Sequence, residues 1–444
     1  MAVPLKNPSA QPAGTLQQAM QAHQAGRLDE ARSLYGQLLA QTPNHPDALH
    51  LLGLMEAQQG RHAEAARLMG LAIAVHPGES MFHNNLGNVC VERGMADEAL
   101  DSYRHAHALA PDRPDVCNNL GVLLSRRGQT VEALQLLQRA VELAPSFADA
   151  RQNLANHHLR QGDMQQAMEV CVAGLLVAPR NPLLRRVLGQ VYCSLGRDKE
   201  AAALYRAWLA DEPDNPEAQF RLVASTQENV PDRAPDRYLA ATFDDFADSF
   251  DAKLAALSYR APEMLAEAVA RHAGPPAAAM DVLDAGCGTG LCGPLVKPWA
   301  RSLVGVDLSN GMLAKAEARQ VYDALAASEM VAYIAARPGS CDLLVSADTL
   351  IYFGALEAFA AAARAALRDG GLLVFSVEAH ADAAGAPDFI LHGHGRYSHR
   401  RGYLEQVLAG AGLALLELQS AILRMEARKP VDGWVVSARA RLAH

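Results

Sequence analysis

The strongest constraint in this chain is a period of 34 residues. Prolines stand at Pro43, Pro77, Pro111, Pro145, Pro179 and Pro213, and alanines at Ala31, Ala65, Ala99, Ala133, Ala167 and Ala201. Glycines keep the same step at Gly26, Gly60, Gly94, Gly128, Gly162 and Gly196. Three residue types locked to one step across six copies require a repeated structural unit. Copies must stack, because a unit this small cannot bury its apolar face alone. The glycine ends a helix through a left-handed residue that only Gly adopts cheaply. The alanine lies on a second helix where its partner comes close, and the proline stops that helix. Another small residue recurs on the first helix at Gly53, Gly87, Gly121, Ala155 and Gly189.

These residues resemble tetratricopeptide repeats, helix-turn-helix units that stack into an all-α solenoid. Six repeats are expected over residues 12–215, with a capping helix from Pro216, so that the array occupies residues 12–225. The resemblance implies a groove that takes a protein or peptide partner. Asn85, Asn119 and Asn153 also step by 34 residues. In this they resemble repeats of the protein O-linked N-acetylglucosamine transferases, where an asparagine ladder grips the backbone of the substrate peptide. Asn both donates and accepts, which suits that task. It equally suits a hydrogen bond to the neighbouring repeat, and both readings stay open.

Residues 1–11 read as a flexible N-terminus, and "TQENVPDRAPDR" (226–237), polar with two prolines, reads as a linker. Half of the residues are hydrophobic and only 5% aromatic, so Ala and Leu carry the packing. The formal net charge of −9 argues against a broad nucleic-acid or anionic-membrane surface. Seven cysteines without C-x-x-C spacing suit free thiols in a reducing compartment, with no zinc site. No segment has signal-peptide character or membrane-spanning length. The expectation is a cytoplasmic protein with no membrane partner; the oligomeric state stays open.

The chemistry concentrates in "MDVLDAGCGTGLCGPLV" (280–296). The glycines fit two frames, Gly288-x-Gly290-x-x-Gly293 for a dinucleotide and Gly286-x-Gly288-x-Gly290 for another nucleotide-like cofactor. A helix is expected from about Leu291. Asp307, at the end of "SLVGVD", suits ribose hydroxyls in either case. Asp284 discriminates. A carboxylate in front of the loop repels a pyrophosphate but attracts the ammonium and sulfonium of S-adenosylmethionine.

From here residues 238–444 resemble the class I S-adenosylmethionine-dependent methyltransferases, an α/β Rossmann-like domain with a seven-stranded sheet. "VLDAGCGTG" matches their first motif and "VGVDLSNGML" the second. "CDLLVSADTLIYF" matches the fourth strand, "LRDGGLLVFSVE" the fifth, and "WVVSARA" the antiparallel last strand. The whole chain resembles methyltransferases that carry an N-terminal repeat array.

The resemblance implies that Gly286, Gly288 and Gly290 let the backbone approach the methionine part, near Asp284. Asp307 would hold the ribose, with Leu308 and Met312 beside the adenine. Glu329, where relatives carry Asp, would accept from the adenine amino group, with Met330 next to it. Ala347, Asp348 and Tyr352 would face the donor methyl. Phe250 replaces a tyrosine, so a hydroxyl contact is lost and ring packing is left. Phe243, Phe246 and Phe250 share one helical face by spacing, as core packing or as a lid.

Methyl transfer from a sulfonium is an in-line displacement that needs alignment more than side-chain chemistry. The acceptor side is placed in "LHGHGRYSHRRGYL" and "LRMEARKPVDGW". His399 is the candidate general base, and Arg396, Tyr397, Arg424 and Glu426 form a polar set suited to an anionic or peptide substrate or to an ion-pair cluster. The absence of Asn/Asp-Pro-Pro-Tyr after the fourth strand lowers the odds of a nucleic-acid substrate. The expected function is methyl transfer to a protein or peptide recruited by the repeats. A small-molecule methyltransferase, or a scaffold with a cofactor-sensing site, is the alternative.

Overall fold

The computed structural model describes residues 12–383, 385–426 and 429–441. Residues 1–11, expected as a flexible N-terminus, lie outside the described residues. The described chain divides into two compact units, one ending at Val187 and the other beginning at Leu188.

The first unit is built of paired helices, from Pro12–Gln24 and Leu28–Gln41 through Ala148–Gln161 and Met164–Val177. Each inter-helix glycine of the period has positive φ, from 67° at Gly196 to 86° at Gly162. Close approach explains the small residue on each first helix. A Cβ at Gly87 would lie 2.5 Å from the Tyr103 ring, and one at Gly121 2.9 Å from Leu137. The facing residue follows 16 positions later in both pairs. In the fifth copy that position is the small Cys171, and alanine stands at 155 in place of glycine.

The asparagines of the ladder hydrogen-bond to the neighbouring repeat. The Asn85 amide meets Nε2 of His50 at 2.9 Å, Asn119 donates to Asn84 at 3.1 Å, and Asn153 donates to Asn118 at 2.9 Å. Asn119 also donates to Asn88 and accepts from Asn118. Its amide donors are therefore spent inside the array, where they fix the register of one repeat on the next.

The second unit starts earlier than the linker expected at 226–237. It holds Asp198–Asp211 and Pro216–Thr226, then the helices Asp236–Phe246, Phe250–Ala256 and Ala261–Ala273, then a nine-stranded sheet. The strands are β1 (Met280–Ala285), β2 (Ala300–Asp307), β3 (Ala324–Ala327), β4 (Cys341–Ser346), β5 (Leu367–Ala379), β6 (Phe389–Leu391), β7 (Tyr397–His399), β8 (Leu413–Glu426) and β9 (Lys429–Ala440). The parallel order is β3-β2-β1-β4-β5, with β9 antiparallel to β5 and β8 antiparallel to β9. These seven match the expected sheet. The other two, β6 and β7, form a hairpin attached to the end of β5 through Glu378–Ser398 and Ala379–His399.

Strand order reverses between β1 and its neighbours β2 and β4, so the loops leaving their C-terminal ends flank one crevice. The helix expected from Leu291 is reduced to one turn, Gly293–Val296, followed by a 3-10 turn at Lys297–Trp299. Pro298 stops it from continuing, while Pro294 sits in its first turn, where proline is tolerated.

The close approaches within the repeats are testable by urea unfolding. Gly87→Val should cost about 1–3 kcal/mol through overpacking against Tyr103. Gly70→Ala, on the helix His62–Val75 with nothing within 4 Å of its Cβ position, should be neutral or stabilising. Equal losses at both positions would contradict the account.

Candidate active site

The loops after β1, β2, β3 and β4, the helices between Asp236 and Ala256, and the ends of β7 and β8 enclose a cavity of about 220 Å³. That is far beyond the space of a packing void or a single water. Asp284, at the end of β1, is 1% exposed. Burial pushes its carboxyl up to about 7, against a hydrogen bond from the Tyr322 hydroxyl at 2.7 Å. Asp307, at the end of β2, is also raised by burial; its two oxygens accept from the backbone N–H of Gly288 and Ser309, both at 2.9 Å.

The three loop glycines have different reasons. A Cβ at Gly286 would lie 2.2 Å from the Thr349 hydroxyl, and one at Gly290 2.9 Å from Tyr322. Only at Gly288 is the space open, with nothing nearer than Phe250 at 4.0 Å. Gly286 and Gly288 both line the cavity, and Gly288 is the one with open space beside its backbone. Gly290 is outside the cavity wall, a correction to its expected contact: it makes room for the tyrosine that holds Asp284.

Leu308, Met312, Glu329, Met330, Ala347, Asp348, Tyr352 and Phe250 all line the cavity. Glu329 is already engaged. Its carboxylate caps the helix Met330–Ala335 through Val331 N–H (3.0 Å) and Ala332 N–H (2.7 Å) and pairs with Arg233 at 3.2 Å. Of the aromatic stripe, Phe243 and Phe250 line the cavity, with ring centroids 6.1 Å apart. Phe246, the last residue of the helix Asp236–Phe246, does not; Lys253 lies 4.1 Å from its ring.

This lead-in segment is fastened at two points. Asp251 accepts from the Thr289 hydroxyl at 2.6 Å and pairs with Arg319. Asp244 accepts from the Ser309 hydroxyl at 2.5 Å and from Gly311 N–H at 3.0 Å.

The acceptor-side expectations change most. His399 is fully buried and does not line the cavity. Its Nε2 lies 3.0 Å from the Gly354 carbonyl, so that nitrogen carries the proton, and burial lowers the imidazole to about 4. It packs against Tyr403 and is not placed to act as a base. Tyr397 is fully buried and donates to the Pro231 carbonyl at 2.8 Å. Neither residue is available to a substrate. His392 and His394 stack on each other 5.1 Å apart, and no group of metal-binding side chains occurs among the described residues.

Arg396 and Arg424 do line the cavity, but as members of a buried ion network. Arg424, 3% exposed, donates to Asp348 at 2.5 Å and Glu426 at 2.7 Å, and also to Glu378. Arg396 donates to Glu378 and Glu426, each at 2.6 Å. Burial raises the Asp348 carboxyl, with Arg424 opposing. Burial alone would raise Glu426 too, but the two arginines hold it below its usual value. Each arginine is already paired with two or three carboxylates, so an anion would have to compete with them.

Sequence reasoning missed Arg233, Tyr259, Tyr322 and Glu378. Arg233 lies in the supposed linker, which is pinned to the loop after β4: Ala234 N–H donates to the Tyr352 carbonyl at 2.8 Å and Gly354 N–H to the Asp232 carbonyl at 2.7 Å. Tyr322 carries no motif signal. Glu378 stood in the quoted fifth-strand run "LRDGGLLVFSVE", where the alternation of a strand end was its only marker.

A methyltransferase-domain family model matches residues 257–418. Tetratricopeptide-repeat models match 16–71, 78–146, 124–190 and 159–225. A human relative, methyltransferase-like protein 27, is 37% identical over 112 residues, which are 25% of this chain and 43% of that protein. The chain thus matches less than half the length of this relative. Among solved structures, PilW, a widely conserved type IV pilus biogenesis factor, aligns at 18% identity over 48% of this chain and 98% of its own, with TM-score 0.44. YrrB, a repeat protein with an unusual peptide-binding site, aligns at 20% identity over 39% and 90%, with TM-score 0.34.

Breaking the ion network is measurable. Arg424→Met leaves buried carboxylates without a counter-charge, so chemical denaturation should show a loss of about 3–5 kcal/mol. A loss below about 1 kcal/mol, the range of an exposed pair, would contradict this reading.

Proposed function

We propose that this chain, a tetratricopeptide-repeat array joined to a methyltransferase domain, is an S-adenosylmethionine-dependent methyltransferase. In this reading the array recruits a protein or peptide that is, or carries, the methyl acceptor. The observation that carries the cofactor half is the charge of the cavity. Five of its lining side chains are carboxylates and three are guanidiniums, and none is lysine or histidine. A pyrophosphate would enter against that excess. It would also find only a one-turn helix at the loop, too short to present the dipole that dinucleotide sites use.

The residues present fit a cationic nucleoside. Gly288 leaves room for the methionine backbone, and Asp284 sits where an ammonium group gains from it. Asp307 keeps acceptor capacity for ribose hydroxyls, because a carboxylate can accept about four hydrogen bonds and backbone N–H groups do not fill them all. Leu308, Met312 and Met330 offer apolar faces to a base. When bound, the donor supplies a methyl group activated by the positive sulfur. The chain's own work is to align and enclose. Phe243, Phe250 and Tyr352 wall the cavity with aromatic rings, and the Asp244 and Asp251 fastenings hold the lead-in segment over it. Water exclusion of this kind suits a displacement that needs no catalytic triad.

The recruitment half rests on the array itself, since tetratricopeptide repeats generally mediate protein interactions. A reducing, cytoplasmic setting is proposed with it, from seven free cysteines, six of them buried.

Calorimetric titration with S-adenosylmethionine tests the cofactor assignment. Wild type should bind, NADH should not compete, and Asp307→Ala should weaken binding by at least about tenfold, or 1.4 kcal/mol. No donor binding by wild type would sink the proposal. For recruitment, methyl-labelled donor and cell lysate should mark a polypeptide with the full chain and not with a chain lacking residues 1–181. Equal labelling by both would remove the array from substrate choice.

A further inference from the structure

The methyltransferase reading leaves open what receives the methyl group, and the acceptor-side wall of the cavity bears on that. Asp348, Glu378 and Glu426 share one network with Arg396 and Arg424. Three carboxylates share two guanidiniums, which gives the network a formal excess of one negative charge. The side chains of Asp348 and Glu378 are 12% and 6% exposed and that of Glu426 is 33%, so water screens the network at Glu426 but poorly at Asp348. Asp284, Asp307 and Glu329 lie on other loops, and the charge of a bound donor is spent on them first.

A second observation points the same way. Tyr259 and Tyr352 line this wall, and among the described residues neither phenol hydroxyl has a hydrogen-bond partner in the protein. Both are buried enough that the phenols stay protonated, Tyr352 pushed up to about 12. Two neutral hydroxyls and that excess negative charge thus face one space.

Charge selects among acceptors at the binding step. In methyl transfer from a sulfonium every acceptor becomes more positive by one unit, so the transfer itself does not distinguish them. A carboxylate, phenolate or thiolate would enter against the acidic excess, whereas an ammonium ion is drawn to it.

We propose that this wall receives the methyl acceptor as an amine, arriving as an ammonium ion, and that Asp348 takes its proton. The inference rests on the methyltransferase reading above. The ammonium N–H bond breaks as its proton passes to the Asp348 carboxylate, leaving the nitrogen lone pair free. That pair forms the new N–C bond as the S–C bond breaks, its electrons returning to sulfur. The products are a methylated ammonium and a neutral thioether, and the Asp348 proton leaves to solvent. Glu378 and Glu426, through Arg424, hold Asp348 in place as positioning residues. Tyr352 offers its hydroxyl oxygen to the second ammonium N–H.

The test uses the full chain saturated with S-adenosylhomocysteine, with n-butylammonium, n-butanol and butyrate as probes in saturation-transfer NMR. The ammonium should bind in preference to both others. Asp348→Asn should weaken it by at least about tenfold while S-adenosylhomocysteine affinity stays within about threefold. Tyr352→Phe, which keeps the ring and the fold, should weaken it severalfold. Preference for butyrate, or equal binding of the three probes, overturns the inference. So does unchanged ammonium binding in Asp348→Asn. Failure of S-adenosylhomocysteine to bind overturns the cofactor reading instead, and the inference falls with it.

Discussion

A carboxylate taken out of water must find compensation, and much of the second unit is arranged around that demand. Asp284 is buried at the end of β1 and receives one hydrogen bond, from Tyr322. To deliver it, Tyr322 passes over the loop so closely that positions 290 and 293 must be glycine. Asp307 is compensated differently, by two backbone N–H groups, one of them from Gly288. The loop conformation, the glycines and the two acids therefore form one interdependent set. Its residual deficit of positive charge is the property that a sulfonium donor meets and a pyrophosphate does not.

The second constraint is the anchoring of the β6–β7 hairpin, which carries Arg396 into the cavity wall. The hairpin turn is gripped from the last helices of the repeat pattern. Cys193 Sγ donates to the Gly393 carbonyl at 3.2 Å, Arg221 reaches the same carbonyl at 3.4 Å, and Gln227 donates to the Leu391 carbonyl at 2.8 Å. Phe220, Tyr238, Leu391 and Tyr397 close an apolar cluster beneath it. A Cβ at Gly393 would come within 2.8 Å of the Cys193 sulfur, which leaves glycine as the residue that fits. The terminal repeat and its capping helix are thus part of the unit that shapes the cavity, which is why the compact division falls at Val187 and not at the polar stretch 226–237.

Periodicity made the array legible to single residues, because one geometric demand recurs in each copy and signals six times. The strand motifs were legible because a parallel sheet with a switch point requires apolar runs followed by loop glycines and acids. What the sequence hid were contacts between distant segments. Nothing local to Tyr322 announces that it serves Asp284, 38 positions away. His399 looked available because histidine in a polar run suggests chemistry, yet β7 pairing turns it inward. Arg396 and Arg424 looked like anion ligands because the partners that consume them, Glu378 and Asp348, sit on other strands and loops. The asparagine ladder was ambiguous for a like reason: amides that can grip a peptide can also grip the next repeat.

The claim that ties these parts together is that Asp284 meets the cationic end of the donor. Its folded value, raised by burial to about 7, lies above that of an unfolded aspartate. The folded state without ligand therefore holds a proton there that it loses as pH rises through about 7. A cation placed beside the group pulls that value down, so binding near neutral pH must expel part of a proton. Calorimetry of S-adenosylmethionine binding in buffers of different ionisation enthalpy measures this directly. The account predicts net proton release near pH 7 that vanishes in Asp284→Asn. Proton uptake, or a release that persists in that variant, would contradict it.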